Sequence, residues 1–261
     1  MLGQRILSAL IGIPILLAFL FLGQLPFFAL IVVLTLAGLD EFYSMMRKQG
    51  KRPIVILGFL GGIAFCVAAL LGGEAGFSIA LALLLIVALV LNFSGVSGGN
   101  LSDVAVTVFG SLYVGLLFSY LILIRGMNRH GPVLVLLIFI AIWVYDIIAY
   151  VAGSTIGKSK LAPRISPGKT WEGAFFAAVA CILVLASLFF IPWLSLSKRI
   201  LLGFVIGIVS PLGDLAESKL KRETGIKDTS SRIPGHGGVL DRFDSLLFTA
   251  PISYYLLKTF F

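Results

Sequence analysis

Runs of roughly 20 apolar residues recur from one end of the chain to the other, and nothing constrains its fold more. A bilayer core about 30 Å thick takes about 20 mostly apolar residues per helical crossing. Each crossing must satisfy its own backbone hydrogen bonds, which only helices and closed barrels do. Barrel strands alternate polar and apolar side chains, and stretches such as Ile79 to Leu91 do not alternate. Hydrophobic residues make up 59% of the 261 positions and charged residues 12%, with a mean hydropathy of +1.08. No water-soluble domain of this length hides so much apolar surface. The expected class is all-α, a polytopic integral membrane protein of about nine transmembrane helices.

Glycine, proline and charge punctuation place the spans near 6–22, 26–44, 54–71, 77–93, 104–124, 132–152, 171–191, 199–216 and 239–258. Arg5 ahead of the first apolar run resembles a signal peptide, but Gly23 to Pro26 leads straight into the next run without a clear cleavage site. It is read as the first helix. With nine alternating spans, the loops Arg47 to Arg52, Lys158 to Lys169 and Lys219 to Arg232 fall on one side with Arg5 and Arg242. Together they hold fifteen of the twenty Lys and Arg residues. The positive-inside rule makes that side, and the N-terminus, cytoplasmic, and puts the C-terminus outside. Because the cations crowd short loops, topology and anionic lipid explain the net charge of +8, and nucleic acid is not an expected partner. Cys66 and Cys181 lie in separate apolar runs without ligand spacing and read as small packing groups. With no internal repeat and no long soluble loop, residues 1–261 are expected to form a single membrane domain.

An ionisable group inside a span costs roughly 2.5–3.5 kcal/mol at the helix centre, so each one needs a partner or a task. Asp214, Glu217 and Ser218 stand at i, i+3 and i+4 near the end of the eighth span, on one helical face. Asp241, Asp244 and Ser245 repeat that spacing at the start of the ninth. Two antiparallel helices can bring these acids to one depth, where oxygen ligands suit Mg²⁺. The competing reading pairs Asp241 and Asp244 with Arg242 and nearby lysines, but like charges three residues apart repel without a cation. Between the clusters, KLKRETGIKDTSSRIPGHGG (Lys219 to Gly238) combines cations, hydroxyls and glycines that suit phosphate. His236, flanked by glycines and without a second histidine nearby, reads as a loop-organising hydrogen bonder or a phosphate contact.

A second loop, GKSKLAPRISPGKTWEG (Gly157 to Gly173), offers Ser166, Lys169 and Thr170, with Glu172 just beyond, at the start of the seventh span. Its glycine spacing does not fit a nucleotide-binding P-loop, which leaves a cationic loop at a helix N-terminus that favours anions. Asp146 in span six reads equally as part of this polar site and as a hydrogen bonder to a neighbouring helix. Asp40 and Glu41, beside Arg47 and Lys48, read as interfacial charges.

SKLKRETGIKDTSSRIPGHGGVLDRFD, Ser218 to Asp244, resembles the signature of the phosphatidate cytidylyltransferases, the CDP-diacylglycerol synthases, and shows no departure from it. SPGKTWEG (Ser166 to Gly173) and DIIAYVAG (Asp146 to Gly153) also look like blocks of that family. The catalytic motifs thus fall within 140–261. The resemblance implies transfer of CMP from CTP to phosphatidic acid with Mg²⁺ required, a second cation being left open. It further implies a homodimer in a bacterial-type inner membrane. In that reading Asp214, Asp241 and Asp244 hold the metal and, with Lys221, carry the chemistry. Ser166, Lys169, Thr170, Ser218, Arg222, Lys227, His236, Gly237, Gly238 and Arg242 bind the substrates, with Asp146, Glu172 and Glu217 as further candidates. Two rival readings remain: a CTP-dependent lipid kinase, and an ion-coupled transporter, which would need carboxylates nearer the midplane.

Overall fold

The computed structural model describes residues 2–95, 100–230, 232–233 and 237–260, with only the backbone of 2–7. Pro234 and His236 therefore lie outside the described residues. Helices α1 (Leu2–Leu22), α2 (Gln24–Lys48), α3 (Val55–Leu71) and α4 (Ala75–Phe93) are followed by α5 (Leu101–Gly110) and α6 (Leu117–Gly126). A π-helical segment, Ser111–Leu116, joins α5 to α6 in one rod. Then come α7 (Gly131–Thr155), a hairpin of β1 (Lys160–Ala162) and β2 (Ser166–Thr170), α8 (Trp171–Ala186), α9 (Leu196–Glu223) and α10 (Leu240–Phe260). Among the described residues, five of these rods are long and apolar enough to cross a membrane: α2, α4, the α5–α6 rod, α7 and α9. This is an all-α membrane architecture. The apolar parts of α1, α3 and α8 are shorter, and α10 opens on Asp241, Arg242 and Asp244.

The helices divide into two compact units, Met1–Pro132 with Glu223–Phe243, and Val133–Arg222 with Asp244–Phe261. In the first unit small residues let backbones approach, as membrane helices require in the absence of a hydrophobic drive between them. A Cβ on Gly115 would stand 2.6 Å from the Cα of Gly62. Tyr43 Oη donates to Thr107 O at 2.7 Å, and Ser111 Oγ donates to Gly58 O at 3.0 Å, so α3 and the π segment are tied by backbone carbonyls. In the second unit α8 and α9 meet through Gly203 and Gly207, where a Cβ would lie 2.8 Å from Cys181 O and from the Cα of Ala178 respectively. Cys66 and Cys181 are both buried thiols.

Two features differ from the sequence-based expectation. The connection before α8 is not an open loop: β1 and β2 pair antiparallel, Lys160 with Thr170 and Ala162 with Ser166, which satisfies backbone groups in a segment otherwise left to water. The eighth helix does not end near residue 216. It continues to Glu223, so Ser218, Lys219, Lys221 and Arg222 are helical. Cations are favourable in a last turn, against the carbonyl end of the helix dipole, and Gly225 at φ +69° then turns the chain out of the helix.

Candidate active site

The second unit gathers most of the expected polar residues at the C-terminal end of α9. Lys169, the penultimate residue of β2, places its Nζ 2.5 Å from Asp214 Oδ2. Ser218, one turn on, donates from Oγ to Asp214 Oδ1 at 3.2 Å. Glu217 is fully buried and ion-pairs with Lys221 at 3.3 Å. Asp244, near the start of α10, lies within electrostatic range of both Asp214 and Lys169. Arg222 Nε donates to Ile165 O at 3.2 Å, holding the end of α9 on the hairpin turn. The helices meet closely because residue 213 has no side chain: a Cβ there would lie 2.4 Å from Asp244 O. Ser245 Oγ seals the contact by donating to Ser210 O at 3.0 Å.

Around this cluster the other hairpin residues make local contacts. Thr170 caps α8, its Oγ1 accepting from Gly173 N at 3.1 Å. Glu172 accepts from Ser159 N at 3.0 Å, which closes the hairpin's open end. Asp146 lies at an exposed position on α7, and Tyr145 beside it is within electrostatic range of both Asp146 and Asp214. Ser166 begins β2 and is half-buried.

The first unit holds the signature segment 224–239 by two carboxylates. Asp241 Oδ2 accepts from Thr229 N at 2.9 Å, Thr229 Oγ1 at 2.8 Å and Gly238 N at 2.8 Å. Glu41 accepts from Ser230 Oγ at 2.7 Å and Val239 N at 2.9 Å through Oε1, and from Thr229 Oγ1 at 3.0 Å and Leu240 N at 2.9 Å through Oε2. Arg232 reaches Asp40 and donates to Ala37 O at 3.2 Å. Gly237 sits at φ +82° with Asp241 against it, and Gly238 is enclosed by Thr229 and Glu41. Lys227 and Arg242 are exposed.

Among the described residues no three His, Cys, Asp or Glu side chains are grouped closely enough to enclose a metal ion. An open site needs fewer, since Mg²⁺ keeps several waters and takes one or two carboxylates plus substrate phosphates. Asp214 and Asp244 are such a pair, both hard oxygen donors, with a lysine ammonium already drawn to one of them. The residues present fit a divalent cation bound in that way.

A family model described as the cytidylyltransferase family matches residues 3–260. The chain belongs to the cytidylyltransferase family. It is 34% identical to the phosphatidate cytidylyltransferase of Bacillus subtilis (strain 168) over 271 residues, 98% of each chain. It is 37% identical to the protein of that name from Haemophilus influenzae over 292 residues, again 98% of each. A third relative so named, from Synechocystis, is 34% identical over 285 residues, 97% of this chain and 96% of its own.

Within this cytidylyltransferase-family chain, Glu41 is a residue that sequence reading misplaces. It is not an interfacial charge: only 1% of it is exposed. The available signal was its cost, because a carboxylate in an apolar run at roughly 2.5–3.5 kcal/mol demands donors. Those donors lie 188 to 199 positions away, beyond any local pattern.

Proposed function

We propose that this chain is a phosphatidate cytidylyltransferase, moving CMP from CTP to phosphatidic acid at the cytoplasmic face of a bacterial-type inner membrane. The carrying observation is the cluster of Asp214, Glu217 and Asp244 with Lys169 and Lys221, in a chain that matches relatives of that name along nearly its whole length. A phosphate oxygen of the lipid attacks the α-phosphorus of CTP, and the bond to the leaving pyrophosphate breaks. Both substrates are anions, so the barrier is chiefly electrostatic. Mg²⁺ on Asp214 and Asp244 would neutralise part of the triphosphate charge. Lys169 and Lys221, each held against a carboxylate, supply ammonium groups that turn to phosphate oxygens when substrate arrives. Their side chains are only 23% and 15% exposed, and partial desolvation strengthens such contacts. The lipid oxygen is itself nucleophilic, so no Ser or Cys need attack.

The decisive assay uses purified protein, phosphatidate, Mg²⁺ and CTP labelled separately in the base and in the γ-phosphate. Base label is expected in the lipid and γ-label in pyrophosphate. Appearance of γ-label in the lipid would make the chain a lipid kinase instead.

Nine crossings, with the N-terminus inside and the C-terminus outside, complete the reading, together with the homodimer that the family resemblance implies. The crossings are supported by nine helical rods among the described residues and by the side on which fifteen of twenty cations fall. Single cysteines at Lys48 and Ser195 are expected to react with an impermeant thiol reagent from opposite faces of oriented vesicles. Reaction from the same face would remove the nine-span count.

A further inference from the structure

Glu41 is fully buried on α2 and serves no step of the transfer described above, yet both of its oxygens are engaged by the signature segment. Every contact is an acceptor contact. Val239 N and Leu240 N are the leading N–H groups of α10, which have no partner inside their own helix. Thr229 Oγ1 lies within hydrogen-bond distance of both Glu41 Oε2 and Asp241 Oδ2, its single hydrogen shared between them. Ser230 adds a fourth donor. The carboxylate therefore grips both ends of a stretch, residues 229–240, whose sequence includes His236, Gly237 and Gly238.

We propose that Glu41 is the positioning residue that fixes the signature segment in its CTP-binding shape, acting from an N-terminal helix on a motif near the other end of the chain. The proposal rests on the cytidylyltransferase reading. Charge alone does not explain the site, because both oxygens face N–H donors of adjacent residues. An amide offers one oxygen, and whichever way it turns, its NH₂ opposes an N–H. Gln is therefore no substitute for Glu here, although it matches in size.

The test compares purified wild-type protein with Glu41→Gln and Thr229→Val. For Glu41→Gln the apparent KM for CTP is expected to rise about tenfold or more, the loss of at least one buried hydrogen bond, while the KM for phosphatidate stays within about threefold. Trypsin cleavage after Lys227 and Arg232 is expected to accelerate by at least the same factor. Thr229→Val keeps the shape, removes the shared hydroxyl, and should move both readouts the same way by about threefold. Wild-type CTP affinity and wild-type cleavage in Glu41→Gln would overturn the proposal. So would an equal rise in both KM values, which signals general loosening. If Glu41→Gln does not fold, Thr229→Val decides alone, and unchanged readouts there overturn it. If the wild type transfers no CMP, the enzymatic reading fails, while the cleavage pattern still reports on the clamp.

Discussion

Replacing Asp214 by Asn is expected to lower CMP transfer by about 10²–10³-fold, the scale on which removal of one preorganised electrostatic group acts, and to leave the protein folded in detergent. The two halves of that expectation have separate causes. For chemistry, the carboxylate is one of two hard oxygen donors with Asp244, and it fixes Lys169 at 2.5 Å. An amide neither holds a divalent cation of this kind nor anchors the ammonium. For stability, two effects nearly cancel. The ion pair with Lys169 involves a carboxylate 34% exposed, so solvent screening limits it to about 0–1 kcal/mol. Against this, Asn removes a negative charge that repels the half-buried Asp244. The melting temperature should stay close to that of the wild type, and Asp244→Asn should behave alike. Activity of both variants within several-fold of wild type, measured with base-labelled CTP, would eliminate the metal assignment.

A second large loss is expected from Gly213→Ala, a change that adds one methyl group and no charge. Its Cβ would stand 2.4 Å from Asp244 O and 3.0 Å from the Cα of Ser245. Both are main-chain atoms that cannot swing aside, so α9 and α10 must separate. Displacement of about 1 Å in a preorganised site costs on the order of 10²-fold in rate. The bond from Ser245 Oγ to Ser210 O, 3.0 Å in the native packing, stretches with it. Here rate and stability should fall together, which distinguishes this variant from Asp214→Asn. Thermal unfolding in detergent beside the transfer assay reads both. Wild-type behaviour on either axis would mean that the helices do not depend on this contact.

The helices were legible because hydrocarbon imposes a length and an apolar composition on every rod. The cluster at Asp214 was legible for a related reason: Asp214, Glu217 and Ser218 share a helical face whatever surrounds them, and charges there have few places to go. The hairpin of Lys160 to Thr170 was not, since strands of three and five residues, the second interrupted by Pro167 and Gly168, carry no periodic signal. Nor was the continuation of α9 through Lys221 and Arg222, where positive-inside charge and a helix's last turn favour the same residues. Asp241 was read as a ligand from its spacing with Asp244. The structure shows one of its oxygens already accepting three bonds from the segment before it, a role that spacing does not encode.

The four donors to Glu41 all belong to residues 229–240. During synthesis, α2 therefore enters the bilayer carrying a carboxylate whose partners do not yet exist. Until almost nine-tenths of the chain has been made, that group must stay hydrated, because burying it bare is prohibitive. Chains that stop before Thr229 leave a carboxylate on α2 without the donors that hold it in the finished protein.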